Sequence, residues 1–392
     1  MVRFRLGEYF SGPGGMAKGA HLAAGDLHPS VTLEHAWAVD IDADSCETYR
    51  RNITGATNES VIVDDVRGAL ERHELGPIDG FAFGFPCNDF SLVGEHKGID
   101  GNYGGLYKSG IDVLKNRRPK WFIAENVGGI RSANDGRAFD RILREMQESG
   151  YRIYPHLYRF EQYGVPQARH RVIIVGIEDS RENEGIEFRV PSPELYAHVD
   201  VTAKAALEAK YPPNVKNHEM PALSERVVER LKLIDPGENA FNAARMTDEY
   251  RLNVKGATIS QIYRRLLPDR PSYTVTGSGG GGTHVYHWDE PRSLTNRERA
   301  RLQSFPDDYV FVGKRTSVRK QVGMAVPVNG ARAIFKALFS SFLGEEYPSI
   351  PANIEVPTNS ATVKISPEID HDLQVVALPT KEVEPEFTGA AL

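Results

Sequence analysis

The chain has 392 residues, of which 40% are hydrophobic and 26% charged, with a formal net charge of −6. This is an ordinary globular composition, no apolar run approaches the roughly 18 residues of a membrane span, and residues 1–4 start no secretory signal. Because two cysteines can form neither a disulfide framework nor a zinc site, we expect two or three domains in a reducing cytoplasm and no metal.

The chain opens with a pattern typical of a nucleotide-binding unit. Residues 3–10 predict a strand, SGPGG at residues 11–15 predicts a tight turn, and residues 16–24 predict a short helix. Glycines permit positive φ angles and close backbone approach, and this order opens dinucleotide-type folds. Residues 12–17 satisfy the loose G-x-G-x-x-G/A pattern, which fits NAD as well as other nucleotides.

A second unit follows directly. Residues 35–39 predict a strand that ends at Asp40, and residues 43–52 predict a helix capped by Asp42 or Asp44. An acid at this point suits either hydrogen bonds to ribose hydroxyls or helix capping alone. Cys46, within the helix, is interpreted as a packing residue.

Further strands are predicted at residues 60–63, 78–85, 121–124 and 171–177. Strands separated by helical segments indicate an α/β fold with a doubly wound, mostly parallel sheet. Asp40, Cys87 and Glu125 each follow a predicted strand, so they would line one crevice at its carboxyl edge. Cys87 alone could equally be a buried packing cysteine or a nucleophile.

The alternation of predicted strands and helices ends near residue 178, and prolines separate the short predicted helices that follow. Residues 277–282 (GSGGGG) are interpreted as a solvated linker, with contact to a phosphate chain as the alternative. We divide the chain into a first α/β domain, an inserted or second domain, a segment that ends the second domain and returns to the first, and an acidic, proline-rich, disordered tail: residues 1–177, 178–270, 271–344 and 345–392.

The charge is unevenly distributed. Residues 345–392 contain nine acids and two lysines, a charge of −7, which leaves +1 for the other 344 residues. Residues 264–336 contain thirteen Lys or Arg and six Asp or Glu, a local +7. Such a patch can steer a polyanion, although an excess of this size is more often a solvated surface.

Six motifs in order give the chain its resemblance to the bacterial DNA (cytosine-5) methyltransferases. They are EYFSGPGG (residues 8–15), GFPCN (84–88), ENV (125–127), QARHR (167–171), RSLT through RLQSFP (292–306) and QVGMAVP (321–327). The resemblance spans residues 6–342 apart from the variable stretch 178–268. It implies a class I S-adenosylmethionine-dependent fold with a smaller DNA target-recognition domain. Residues 1–177 would then be the catalytic and cofactor-binding domain, residues 178–270 the target-recognition region, and residues 271–344 the end of the recognition domain and the return to the catalytic domain.

The resemblance also implies a mechanism. Cys87, as thiolate, would add to C6 of cytosine, and Glu125 would hold N3 and the exocyclic amine. Arg171 would hold O2, and Arg169, expected on the same face of the same strand, would support the site. C5 would then attack the sulfonium methyl group, and an unidentified base would remove the C5 proton from the flipped cytosine.

The implied binding residues fall into two sets. The S-adenosylmethionine site would comprise Phe10, Gly12, Gly14, Gly15, Asp40, Ile41, Asp65, Val66, Pro86, Leu106, Ala325 and Val326. Double-stranded DNA would be contacted by Ser91, Arg270, His284 and His287.

Two positions depart from the family pattern: Asn88 replaces the usual Gln after the nucleophile, and Met324 replaces the usual Asn near the cofactor. Met324 favours the alternative of an inactive DNA-binding protein, and a tRNA cytosine-5 methyltransferase is a further alternative. We expect a monomer, located in the cytoplasm and on the nucleoid through DNA, as part of a restriction-modification system or as an orphan modification enzyme.

Overall fold

The computed structural model describes residues 1–86, 105–131, 136–252, 262–277 and 283–357. Its centre is a seven-stranded sheet with the strand order β3-β2-β1-β4-β5-β8-β6. The strands of the described chain are β1 (Val2–Tyr9), β2 (Val31–Asp40), β3 (Val61–Val63), β4 (Gly80–Gly84), β5 (Trp121–Val127), β6 (Tyr151–Arg159), β7 (Gln167–Ala168), β8 (His170–Glu178), β9 (Val190–Pro191), β10 (Ser272–Tyr273) and β11 (Ser349–Ile350).

Strands β1 to β5 are mutually parallel, whereas β8 runs antiparallel to both β5 and β6. The prediction of a mostly parallel, doubly wound sheet is confirmed. The sequence analysis did not predict β6, and it left the direction of β8 open. Because β8 is reversed, its first residues lie beside the carboxyl end of β5, with Arg171 opposite Val127.

Helices cover both faces of the sheet. They are α1 (Gly15–Asp26), α2 (Ala43–Asn52), α3 (Ala69–Arg72), α4 (Leu106–Arg117), α5 (Arg137–Glu148), α6 (Ala203–Glu208), α7 (Glu225–Lys232), α8 (Asn296–Leu302), α9 (Arg315–Met324) and α10 (Val328–Leu343). One apolar core contains residues of α1, α2 and α10, and the other contains residues of α4 and α5. The C-terminal helix α10 therefore returns to the first domain, where it packs along α1.

A third, smaller core lies apart from the sheet. It is formed by Leu231, Ile234, Ala240, Ile262, Tyr263 and Tyr286. These residues come from both the 178–270 and the 271–344 segments, as a recognition domain that ends after residue 270 would require.

The beginning of the predicted tail is ordered. Ser349–Ile350 pairs with Val190–Pro191, and Ile354 is buried against the α4 and α5 side of the sheet. The Asn353 amide contacts the backbone of Leu157 through both its oxygen and its nitrogen. The prediction of disorder is therefore wrong for residues 345–357, and residues 358–392 lie outside the described residues.

Candidate active site

The turn between β1 and α1 has left-handed backbone geometry. Phe10, Gly12 and Gly14 have φ angles of 53°, 52° and 91°. Such angles suit glycine, so Phe10 is a strained residue of the kind that clusters at functional sites. The Gly12 N–H donates to Asp40 Oδ2 at 2.8 Å, which ties this turn to the end of β2.

Asp40 holds two backbone segments at once. Its second oxygen accepts from the Asp42 N–H at 2.9 Å, and burial raises the pKa of its carboxyl group. Asp42, not Asp40, caps α2 by accepting from the Ser45 N–H. Asp40 thus fixes the shape of the glycine turn, and its contact with a ribose stays a prediction.

The glycine turn is closely packed at Gly15 and open at Gly12. A Cβ placed on Gly15 would lie 2.3 Å from the Val326 carbonyl oxygen, whereas a Cβ on Gly12 would meet nothing within 4 Å. The Ser11 hydroxyl is buried without a hydrogen-bond partner among the described residues. The open side with its free hydroxyl is suited to an anionic group such as the donor's carboxylate, and the closed side explains why Gly15 is required.

Apolar side chains extend the crevice from the turn. Ile41 is 72% exposed at the end of β2, and Val63 is 48% exposed at the end of β3. Uncovered branched side chains at adjoining strand ends offer a surface on which a flat ring can lie. Asp65 forms a salt bridge with Arg67 at 2.5 Å. To bind the adenine, the Asp65 carboxylate would have to accept a hydrogen bond from the adenine amine while it keeps this partner.

The remaining predicted cofactor residues surround the same edge. Val66, Leu106, Ala325 and Val326 are buried, and Pro86 is partly buried. Met324 is 64% exposed at the end of α9. The residues present thus fit S-adenosylmethionine, with polar groups at the turn and apolar groups beyond it.

Glu125 and Arg171 form an ion pair beside the carboxyl end of β5. Arg171 Nε lies 3.0 Å from Glu125 Oε1, and each side chain is 13% exposed. The pairing of β4 with β5 places Glu125 beside Gly84, two residues before Pro86. The site therefore presents a carboxylate and a guanidinium side by side, next to the segment that leads to Cys87.

Arg169 has a different position from the predicted one. It lies between β7 and β8, not on the strand that carries Arg171, and it is 2% exposed. Its Nη1 donates to the carbonyls of Val275 and Gly323 at 3.3 and 3.1 Å, and burial lowers its pKa. Arg169 precedes β8, which begins at His170, by one residue, and the charges of Arg171 and Glu125 both act on its guanidinium group, so its support of the site stays a prediction. Arg169 joins the sheet to the segment before the glycine loop.

Asn126 contributes a contact that sequence reasoning missed. Its Nδ2 donates to the Phe85 carbonyl at 2.9 Å, and its Oδ1 accepts from the Val127 N–H at 2.8 Å. The amide nitrogen attaches the end of β5 to the chain just before Cys87, and the amide oxygen fixes the orientation of the side chain within β5. The only signal in the sequence was the position of Asn126 inside the ENV motif. Cys87 and Ser91 themselves lie outside the described residues.

The other predicted DNA contacts are dispersed. Arg270 is exposed, and His284 lies against Arg319. His287 is buried, and its Nδ1 accepts from the backbone N–H groups of Asp289 and Glu290. This histidine therefore stabilises its own turn, and a DNA contact through it remains a prediction.

A mostly parallel sheet with a glycine turn, an acid at the end of β2 and a half-buried Glu–Arg pair at the end of β5 is typical of an α/β enzyme that binds its ligands at the carboxyl edge of the sheet. The described residues contain no cluster of three or more His, Cys, Asp or Glu able to hold a metal ion. None of their helices is long and apolar enough to cross a membrane.

Comparison with known proteins identifies the family. Residues 4–340 match the family model of the C-5 cytosine-specific DNA methylases, and the chain belongs to this family. It is 53% identical over 370 residues to the Type II methyltransferase M.BbvI of Brevibacillus brevis, covering 92% of this chain and 97% of that one. It is 38% identical to the Type II methyltransferase M.NgoFVII of Neisseria gonorrhoeae, covering 85% and 86%.

Solved structures agree on the fold. A DNA modification methyltransferase encoded within a prophage of E. coli superposes with a TM-score of 0.64 at 22% identity, covering 86% of this chain and 99% of that one. The Dnmt2 methyltransferase of S. pombe gives 0.55 at 16%, covering 87% and 99%. The class I S-adenosylmethionine-dependent fold and the DNA (cytosine-5) methyltransferase activity expected from the sequence are confirmed, and the family implies S-adenosylmethionine as cofactor.

Proposed function

We propose that this DNA (cytosine-5) methyltransferase acts on a cytosine flipped out of a specific duplex sequence, through a covalent bond between Cys87 and C6. The observation that carries the proposal is the Glu125–Arg171 ion pair, beside the strand that leads into Pro86 and Cys87. A paired acid and guanidinium match the N3, exocyclic amine and O2 edge of a cytosine.

Each protein group has a defined task. The Cys87 thiolate donates an electron pair to C6, and the C5=C6 electrons move onto C5 and toward N3 and O2. Glu125 holds N3 and the amine while charge develops there, and Arg171 holds O2. When bound, S-adenosylmethionine supplies an electrophilic methyl group. A base then takes the C5 proton, the C5=C6 bond re-forms, and the Cys87 sulfur leaves with its electron pair.

The cofactor site rests on the geometry of the glycine turn. The methionine carboxylate would lie at the start of α1, in the open space beside Gly12 and near the Ser11 hydroxyl, because a helix N-terminus favours an anion. Gly14 would hold the shape of the turn, since its N–H donates to the Ser11 carbonyl. Asp40 would reach the ribose while it holds the turn, and Ile41 would cover the adenine. Asp65, Val66, Pro86, Leu106, Ala325 and Val326 complete the predicted set.

The surroundings of the enzyme follow from the same proposal. Flipping a base costs a few kcal/mol, which phosphate contacts would offset. Ser91, Arg270 and His284 are proposed DNA contacts. The Type II relatives support a companion restriction endonuclease in the cytoplasm, and we propose a monomer.

The test is trapping of a covalent adduct on duplex DNA that contains 5-fluorocytosine, because fluorine at C5 cannot be removed as a proton. Bisulfite sequencing of DNA from cells that express the chain first supplies the target sequence. With donor present, wild type and Cys46→Ala should form the adduct and Cys87→Ala should not. Cys46 is the matched control, since it is free and fully buried in α2.

If Cys87→Ala forms the adduct as wild type does, the mechanism is wrong. Methyl incorporation into tRNA but not into duplex DNA would instead support the tRNA alternative. Retention of donor and DNA without methyl transfer would support an inactive binding protein.

A further inference from the structure

A small basic cavity lies away from the Glu125–Arg171 pair, between the recognition region and helices α8 and α9. Its volume is about 170 Å³, and three of its lining residues are Arg299, Arg315 and Arg319. Arg315 and Arg319 are four residues apart on α9, so they share one helical face. Arg299 reaches the same space from α8.

These three arginines have no acidic partner. No carboxylate in the described part of the chain forms an ion pair with any of them, whereas Arg292 and Arg301 nearby are each paired. The adjoining segments outside the described residues, 253–261 and 278–282, contain no Asp or Glu in the sequence. Within the described residues, the positive charge of the cavity is therefore not balanced by a paired carboxylate.

Buried donors in the cavity also lack acceptors. Arg299 is 3% exposed, and its Nε is buried with no hydrogen-bond partner among the described residues, as is Arg319 Nε. Arg299 Nη2 donates to the Thr276 carbonyl at 2.6 Å, which fixes the direction of the guanidinium. A buried, unpaired guanidinium is costly, so such a group calls for an anion.

His284 lines the cavity as a neutral side chain and adds no positive charge to it. Burial, followed by the fields of Arg319, Arg299 and Arg315, lowers its pKa to about 4. The neutral imidazole lies 3.1 Å from Arg319 Nη1 through its Nδ1, where it can accept a hydrogen bond. The charge available to a ligand therefore belongs to the arginines and does not change near neutral pH.

The size and place of the cavity narrow the choice of anion. A volume of about 170 Å³ has room for a phosphate group. Arginine matches phosphate through paired N–H donors. Arg299 contacts Thr276, and the next residue, Gly277, lies against Met324 beside the cofactor residues Ala325 and Val326.

We propose that Arg299, Arg315 and Arg319 together bind one backbone phosphate of the DNA substrate. This inference rests on the proposed function, because it assumes duplex DNA in the cleft. The phosphate accepts from the unpartnered Nε groups of Arg299 and Arg319, and the exposed Arg315 adds positive charge at the entrance. This contact positions the duplex between the recognition region and the sheet and carries no sequence information.

The experiment measures how salt weakens binding of the full-length protein to a duplex of unrelated sequence, without donor. Each neutralised phosphate contributes about 0.9 to the slope of log K against log salt concentration. We expect the Arg315→Gln/Arg319→Gln double variant to lose about 0.9, which is about 3.5-fold less change in affinity between 50 and 200 mM KCl. The matched control is Arg181→Gln, an exposed arginine just after β8, at the opposite edge of the sheet.

A second readout separates binding from a structural role. In the free protein the double substitution removes like charges, so the Tm should not fall below that of Arg181→Gln. A lower Tm with an unchanged salt slope would overturn the proposal in favour of a structural role. A loss of slope near 1.8 would overturn the single shared phosphate in favour of two separate contacts.

Three further outcomes are decisive. If inorganic phosphate alone raises the Tm of wild type but not of the double variant, and the salt slopes agree, the cavity binds a free anion and not DNA. If wild type methylates cytosine in DNA and both variants show the same salt slope as wild type, the phosphate site is wrong and the proposed function stands. If wild type binds no duplex DNA, the proposed function fails first.

Discussion

Gly15→Ala tests whether the glycine turn is built by close contact with the chain between α9 and α10. An ideal Cβ on Gly15 would lie 2.3 Å from the Val326 carbonyl oxygen, about 1.1 Å inside the 3.4 Å at which ordinary contact begins. The obstacle is backbone, so the helix and the Val326 segment must separate. Overpacking of this kind costs about 1–3 kcal/mol, and the gain in helix propensity returns at most about 1 kcal/mol. We expect a net loss of about 1–2 kcal/mol.

Gly25→Ala provides the control within the same helix. A Cβ on Gly25 meets nothing within 4 Å, so the substitution should stabilise the protein by about 0.4–1 kcal/mol. Thermal unfolding should show Gly15→Ala below wild type and Gly25→Ala at or above it. A calorimetric titration with S-adenosylmethionine should show weaker binding only for Gly15→Ala, because only that change displaces the turn. Equal Tm and equal donor affinity in the two variants would refute the close contact and the site built on it.

Three further predictions concern buried polar groups. Glu8 is fully buried and desolvation raises its pKa to about 8, so between about pH 5 and 8 the native state binds a proton that the unfolded state, with a pKa near 4.3, has lost. Raising the pH should therefore destabilise wild type by up to about 1.4 kcal/mol per pH unit, and Glu8→Gln should flatten this slope; parallel slopes in urea unfolding would contradict it. Asn126→Ala removes the hydrogen bond to the Phe85 carbonyl. Because misplacement of reacting groups is costly, kcat should fall by up to about 100-fold with the Kd for S-adenosylmethionine unchanged. An unchanged kcat would show that this contact does not position Cys87. Thr295→Ala removes the hydroxyl of the capping box on α8 and should cost about 1–2 kcal/mol in chemical denaturation, whereas Thr295→Ser should cost less; equal losses would show that the hydroxyl is not responsible.

Local chemistry was sufficient where neighbouring residues decide the structure. The helix at residues 43–52 was predicted with its observed bounds, and its cap, Asp42, was one of the two alternatives named. Both depend on side chains within three residues of the helix start. The glycine turn could also be predicted from the sequence, because few residues other than glycine tolerate positive φ angles and close backbone approach.

Strand β6 was missed because its sequence contains Pro155, which argues against a central strand. The structure places β6 at the edge of the sheet, where its partner is β8 and its other side needs no N–H donor. Whether a strand is an edge is a property of the assembled sheet and cannot be read from nine residues.

By itself, the sequence determined the order of motifs, the doubly wound sheet and the crevice at its carboxyl edge, since alternating strands and helices with a glycine turn permit little else. Only the tertiary structure decided that Arg171 pairs with Glu125 and that Arg169 donates hydrogen bonds to the carbonyls of Val275 and Gly323. It also decided that the arginines of α8 and α9 share one cavity without an acid. These contacts join residues tens of positions apart, and their partners are chosen by strand direction and helix packing rather than by local sequence.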